Sequence, residues 1–266
     1  MTSNFHTHTV FCDGKNTPEE IVLKAIEKGF SAIGFSGHGY TPFDLSYCMK
    51  DTEEYISEIH RLKELYKKDI EVYLGIEEDA FAPVDRSKFD YIIGSSHYLY
   101  VKGQYYPIDS GYDGFKKCLE AFELDTVRLA EAYYSSFVKY IIDRKPDVIG
   151  HFDLITKYDE LESSMFLEDE KYNLIAEKYI MKAIEGNCIF EVNTGAVSRG
   201  LRKTFYPSEN LLYILKRNNA RVMLSSDSHN IDTLDFGFAE AKKILQDIGF
   251  RHLYTICDSK FIKYDI

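Results

Sequence analysis

Asn4-Phe5-His6-Thr7-His8 ends a candidate β-strand with two imidazoles two residues apart. Side chains alternate across a strand, so His6 and His8 point to one side and can grip a single ion. The same kind of ending recurs along the chain. A candidate strand at residues 32–36 runs into Gly37-His38, one at 71–76 into Glu77, and one at 91–95 into Ser96-His97. Another at 148–151 ends in His151-Phe152-Asp153 and one at 221–226 runs into Asp227-Ser228-His229, while a further candidate strand covers 189–193. Six of the eight histidines, all except His60 and His252, stand at or just beyond such an end. Random placement would scatter histidines over helices as well.

Between the strands lie amphipathic stretches at 18–28, 52–66, 115–143, 168–185, 208–217 and 236–248. Thr17-Pro18 with Glu20 reads as a capped helix start, and Ser208-Glu209 after Pro207 as another. Gly29, Gly186 and Gly249 stand where helices should stop. Strand–helix alternation repeated some seven times predicts an α/β fold with a parallel sheet closed, or nearly closed, into a barrel, a doubly wound open sheet being the alternative. In a parallel barrel the C-terminal strand ends converge on one face, where such enzymes keep their active sites. Residues 98–114, rich in Tyr, Gly and Asp, read as a loop over one end. No linker, repeat or low-complexity tract divides the chain, so one domain spanning 1–266 is expected.

The chain has 266 residues, close to the roughly 250 typical of such a barrel. With 32 Lys+Arg against 43 Asp+Glu the net charge is −11, which disfavours a nucleic-acid partner. Five cysteines without a CxxC pair suit a reducing compartment and argue against a thiolate metal site. The N-terminal residues lack the basic and apolar regions of a signal peptide, and no apolar run is long enough to span a membrane. A cytoplasmic protein is expected.

Imidazole and carboxylate without thiolate suit Zn, Mn or Fe in the divalent state, and the number of candidate ligands calls for two or three ions. Such clusters bind phosphoryl oxygens and activate water, which matches the difficulty of hydrolysing a phosphate monoester. Arg199, Arg202 and Lys203 follow the strand at 189–193, a basic cluster out of character in an acidic chain. It reads as a clamp on substrate phosphate, joined by Lys157, six residues after His151.

These residues resemble the PHP (polymerase and histidinol phosphatase) superfamily: HxH near the N-terminus, an isolated His ending strand two, Glu ending strand three, and a late Asp-x-His. Three stretches, 94–109 (GSSHYLYVKGQYYPID), 150–157 (GHFDLITK) and 191–207 (EVNTGAVSRGLRKTFYP), resemble its histidinol-phosphate phosphatase branch. The resemblance implies a distorted (β/α)7 TIM-like barrel with a trinuclear metal centre at the C-terminal strand ends. It places His6, His8, Glu77 and Asp227 around a first metal and makes Glu77 a bridge to a second, completed by His97 and His151. Asp13, His38 and His229 would hold a third; many relatives carry His where this chain has Asp13. Its Ser-Gly-His on strand two replaces a Thr-Asp-His common elsewhere in the superfamily.

The implied activity is hydrolysis of L-histidinol phosphate, a step of histidine biosynthesis, by a hydroxide held between the first two metals. Arg199 and Lys157 would neutralise the phosphoryl oxygens, and Asp227 or His229 would protonate the leaving oxygen. One of Tyr98, Tyr100, Tyr105 and Tyr106 would pack on the substrate imidazole. The competing readings are a phosphoesterase for phosphotyrosine, nucleotides or nucleic-acid ends, and a non-catalytic metal-binding module. The intact ligand set argues against the last.

Overall fold

The computed structural model describes residues 2–160 and 164–266. In chain order the elements begin β1 (Ser3–Asn4), α1 (Pro18–Glu27), β2 (Ala32–Phe35), α2 (Thr52–Leu65), β3 (Glu71–Asp79) and β4 (Tyr91–Ser95). They continue with β5 (Tyr98–Val101), β6 (Gln104–Pro107), α3 (Tyr112–Ala121), α4 (Thr126–Arg144), β7 (Val148–Ile149) and α5 (Glu170–Ile184). The last are β8 (Ile189–Asn193), α6 (Gly195–Ser198), α7 (Glu209–Arg217), β9 (Val222–Ser225), α8 (Phe238–Ile248), β10 (His252–Cys257) and β11 (Lys260–Asp265).

Sheet order runs β1-β2-β3-β4-β7-β8-β9-β10-β11, parallel throughout except for the β10–β11 hairpin. Strand pairing does not close the circle. Instead β1 and β9 meet at their C-terminal ends through one parallel bridge, Thr7 to Ser228. There His8 N–H donates to Ser228 O (2.8 Å) and Ser228 N–H to His6 O (3.1 Å). Lower down β10 wedges in, pairing Tyr254 with Met223 and reaching Ser3 through the Thr255 hydroxyl at 2.9 Å. The result is a distorted seven-stranded barrel with a splayed seam, and the open doubly wound alternative is not what the chain forms.

The interior follows from period-two alternation. At the floor sit Phe5, Ala32, Tyr73, Tyr91, Ile93, Val148, Ile189 and Met223, an apolar plug. Tyr91 donates its hydroxyl to Phe5 O (2.6 Å), and its ring fills space that Gly75 leaves: a Cβ there would lie 2.2 Å from the ring. Further up the strands the inward positions turn polar, two residues on at Ser95, Glu191 and Ser225 and, past Gly75, at Glu77, all buried. The plug therefore keeps water from below and makes the top of the barrel the site of its polar chemistry. Outward residues pack under the helices, Ile33 and Leu74 beneath α1 and α2, Phe190 and Leu224 among the buried residues of α4, α5, α7 and α8.

Several elements differ from the expectation. The single helix over 115–143 is two, because Glu123 and Leu124 take positive φ (60° and 63°) and Asp125 caps a new start by accepting from Arg128 N–H at 3.0 Å. No Gly or Pro marks that break. Residues 98–114 are not a plain loop: β5 and β6 pair as a hairpin, followed by the start of α3. The C-terminal hairpin, β10–β11, was not among the expected strands. The Thr17–Glu20 capping box forms as expected, whereas Ser208 makes no side-chain cap; its N–H is instead held by Asp153 Oδ2 (2.9 Å). After α5 the left-handed residue is Asn187 (φ 55°), one position beyond Gly186. No described helix is long and apolar enough to cross a membrane.

Candidate metal centre

The strand ends bring all nine expected ligands together: His6, His8, Asp13, His38, Glu77, His97, His151, Asp227 and His229. Glu77 lies at the middle. Its Oε2 is 3.4 Å from His6 Nε2 and 3.6 Å from His8 Nε2, while Asp227 Oδ1 is 3.7 and 3.2 Å from the same two nitrogens. Donors at 2.0–2.1 Å from a tetrahedral ion stand roughly 3.3 Å from one another, so His6, His8 and Asp227 lie close enough together to share a cation, with Glu77 Oε2 beside both imidazoles. The other oxygen, Glu77 Oε1, is 3.3 Å from His97 Nε2 and 3.0 Å from His151 Nε2. Asp13 forms a third group, 3.3 Å from His229 Nε2 and 3.7 Å from His38 Nε2, with His8 Nδ1 at 3.5 Å.

His6 Nε2, His8 Nε2 and His151 Nδ1 are buried without a hydrogen-bond partner. Burying such atoms unpaired costs about 1–3 kcal/mol each, a cost that coordination by the two Nε2 atoms would remove. Charge points the same way. Burial alone would raise the Glu77 pKa, but His6, His38 and His97 and a hydrogen bond from His151 outweigh it and hold the carboxyl well below its usual range. Burial likewise works against ionised Asp227, yet Arg199, His6 and His8 keep it well below the ordinary value. His8 is pushed down to about 3 by burial and by the neighbouring His229 and His38, so it is a neutral imidazole, the form a metal ligand requires. The donor set therefore fits divalent ions bound by nitrogen and oxygen.

Four supporting residues were not singled out from sequence. Glu191, buried on β8, takes His6 Nδ1 at 2.5 Å and accepts from His151 N–H at 2.8 Å and Asn193 Nδ2 at 2.9 Å. It thus fixes the imidazole of one ligand and the backbone of another. Asp79 accepts from His97 N–H at 2.9 Å and faces His97 Nδ1 at 3.3 Å. Ser95 donates its hydroxyl to Glu77 Oε1 at 2.6 Å, and Asp109 faces Lys157 Nζ through Oδ2 at 3.3 Å. The strand period carried the signal for the first two: Asp79 is two residues beyond Glu77, and Glu191 precedes Asn193 on the inward side of β8.

Above the ligands opens a cavity of about 320 Å³, lined by Asp13, His38, Glu77, His97, His151, Asp227 and His229 and, beyond them, by Lys157, Arg199, Asp44, Tyr47, Tyr98 and Asp109 among others. Arg199 donates to Asp227 O (2.9 Å) and Asp227 Oδ2 (3.0 Å) and lies 3.2 Å from His229 Nδ1. Arg202 does not reach this cavity. Its buried guanidinium turns inward, donating to Thr156 and Thr204 hydroxyls at 2.8 Å each, facing Asp153 and Glu160 at 4.0 Å, and stacking on the Tyr206 ring. The expected substrate contact of Arg202 is therefore corrected to a brace in the wall. Of the tyrosines at 98–106, Tyr98 lines the cavity, whereas Tyr100 is exposed and Tyr105 stacks on Phe43.

Proteins of known name or structure share this arrangement's fold and sequence. A Schizosaccharomyces pombe protein named "Probable histidinol-phosphatase" is 28% identical over 96% of this chain and 90% of its own. The histidinol-phosphatase of Bacillus subtilis is 28% identical over 88% of this chain and 95% of its own. The histidinol phosphate phosphatase of Lactococcus lactis, solved with zinc, L-histidinol and phosphate, superposes with a TM-score of 0.75 over 98% of both chains at 20% identity. The family described as PHP domain matches residues 4–195, a span that holds β2 through β8 and the candidate ligands from His6 to His151. On that match the chain belongs to the PHP domain family.

Proposed function

We propose that this chain is a metal-dependent histidinol-phosphatase, releasing inorganic phosphate and L-histidinol from L-histidinol phosphate. The observation that carries the reading is Glu77, whose two oxygens face two separate imidazole groups at ligand spacing on the floor of an open cavity. The curated relatives of that name, similar over most of their length, support the substrate.

In this reading His6, His8, Glu77 and Asp227 hold one divalent ion and Glu77, His97 and His151 a second. Asp13, His38 and His229 hold a third. When bound, zinc, manganese or iron would polarise the phosphoryl oxygens and lower the pKa of a water nearby. Arg199 and Lys157 supply positive charge at the cavity wall to orient the phosphate and offset charge developing on it. Asp227 divides its carboxylate, Oδ1 toward His6 and His8 and Oδ2 toward Arg199. Held ionised by these neighbours, it serves as an anchor rather than as the acid that protonates the leaving oxygen. His229 is committed to the third group through Nε2 and its Nδ1 lies 3.1 Å from Asp227 O, so neither member of the expected pair is free to serve as that acid. The small-molecule ester is the partner this cavity accommodates, and the 266 residues act as one catalytic unit.

The test is kcat/KM for L-histidinol phosphate beside a panel of other phosphate monoesters, with zinc or manganese supplied and a chelator control. A preference of about a thousandfold, roughly 4 kcal/mol of transition-state recognition, is expected, and it should vanish on chelation. A flat, chelator-sensitive profile would remove the named substrate and leave the phosphatase. Phosphate release that ignores the chelator would overturn the metal reading.

A further inference from the structure

The cavity is charged at both ends, and only one end is accounted for by phosphate chemistry. Beyond the candidate ligands its lining includes Asp44, Ser46, Tyr47 and Tyr98, with Asp109 beside Lys157. Tyr47 stands edge-on to the His38 ring, centroids 4.7 Å apart, and Tyr98 lies 6.1 Å from Tyr47, so an aromatic strip leads outward from the candidate ligands. At its far end Tyr98 donates its hydroxyl to Asp44 Oδ2 at 2.7 Å. Asp44 Oδ1 accepts from Ser46 N–H at 3.0 Å and from the Ser46 hydroxyl at 2.6 Å. Asp109 spends its charge on Lys157, but Asp44 has no ion-pair partner among the described residues.

A turn of this kind needs an acceptor at Oδ1, which Asn would supply equally well. The negative charge is surplus to that purpose. It also lies close enough to Asp109 to be disfavoured by it, and burial disfavours it further; the hydrogen bonds from Ser46 and Tyr98 nonetheless keep the carboxyl below its usual pKa. A carboxylate held ionised, unpaired by cation and presented to a cavity beside two tyrosine rings makes a receptor for a protonated nitrogen. The loop that carries it is braced from outside, where Phe43 stacks on Tyr105 of β6 at 3.8 Å and 7°.

We propose that Asp44 is the specificity determinant of this site, receiving a protonated nitrogen in the alcohol part of the ester. The substrate class is then phosphate monoesters of cationic amino alcohols, and the inference rests on the phosphatase reading above. The phosphate end faces Arg199, Lys157 and the ligand cluster, the organic part runs along Tyr47 and Tyr98, and the cation meets Asp44.

The experiment compares kcat/KM for L-histidinol phosphate with that for 3-phenylpropyl phosphate, an uncharged-alcohol ester of similar length, in the metal-loaded full chain. The readout is the ratio of the two values. Asp44→Asn preserves the Ser46 turn and removes the charge; the ratio should fall about 30-fold, through KM for the cationic ester. Tyr98→Phe removes one bond that aims the carboxylate and should lower the ratio about three- to fivefold, which keeps the test open if D44N fails to fold. A ratio unchanged in both variants overturns the proposal, and so does a parallel loss on both esters, which would make Asp44 a support of the wall. A wild-type ratio near one defeats this inference alone, whereas no hydrolysis of either ester defeats the phosphatase reading and this one with it.

Discussion

Replacing Glu191 with Gln should loosen the metal centre without unfolding the barrel. Glu191 faces His6 Nδ1 with Oε1 and accepts from His151 N–H and Asn193 Nδ2 with Oε2. Gln is nearly isosteric, and its single carbonyl oxygen would satisfy the two donors on the Oε2 side. Its NH2 would then face His6 Nδ1, where two N–H groups cannot meet, so the His6 proton would move to Nε2. That nitrogen is the one standing 3.4 Å from Glu77 and 3.7 Å from Asp227, and a protonated Nε2 cannot ligate. Loss of such an outer partner typically costs 10–100-fold in metal affinity, or about 1.4–2.7 kcal/mol. His151 keeps its backbone bond, so one ion should weaken while the other persists. Zinc titration against a competing chelator would read this as one site shifted by that factor, with far-UV circular dichroism unchanged and turnover reduced in step. A folded E191Q that binds every ion within threefold of the parent would refute the assigned role of Glu191.

Three other outcomes are expected. In the metal-free protein burial lowers the His6 pKa, but Glu191, Glu77 and Asp227 more than reverse this and raise it well above the usual value. A raised pKa keeps the proton bound at neutral pH, stabilising the empty fold below the ordinary value near 6.5 and losing that contribution as pH rises through the raised one. Metal loading must therefore expel this proton and that of His97, whose pKa burial lowers but Glu77 and Asp79 raise well above the usual value; calorimetry in buffers of different ionisation enthalpy should show about two released per chain at pH 7, and none would contradict it. The two arginines should separate cleanly. R199K should cost roughly 100-fold in kcat/KM with little change in Tm, whereas R202M, which strips buried Asp153 of its cation, should cost about 3 kcal/mol and lower Tm by roughly 6–12 °C. The reverse pattern in thermal melts and kinetics would mean the wall and the clamp have been exchanged. Gly75→Ala places a Cβ 2.2 Å from the Tyr91 ring, and chemical denaturation should register a loss of about 2–3 kcal/mol; an unchanged midpoint would show that the plug can shift.

The cluster of candidate ligands was legible because two simple regularities coincide in it. Strand alternation aims residues two apart at one place, and parallel strands bring distant ends to one face. His6 and His8 obey the first rule, and His38, Glu77, His97, His151 and Asp227 the second. The same alternation reaches Asp79 and Glu191, but a carboxylate two residues from a ligand looks no different in sequence from a solvated one until its burial is known. Arg199 and Arg202 could not be told apart by type or position. A short helix, α6, and the positive φ of Gly200 (69°) turn the chain between them, so one guanidinium faces the cavity and the other the wall. The break at Glu123-Leu124 was hidden because neither residue is a usual helix breaker, and the two helices it separates pack on different partners, α3 on β6 and α4 on α5.

The single Thr7–Ser228 bridge across the barrel seam has a consequence for how a chain of this kind is made. His6 and His8 leave the ribosome more than two hundred residues before Asp227 and His229, which follow only after the strand that completes the circle. A nascent chain that has emerged as far as α7 already offers most of the donors but lacks the carboxylate that closes the first group and the imidazole that closes the third. Contacts so far apart in sequence form late, because the loop must be closed before they reward it. An ion held there would add a rivet to a seam otherwise joined by that bridge and by the bonds between Asn4 and Ser226. Loading would then mark the moment of completion: a chain cut short before Asp227 would have neither its clasp nor its catalyst.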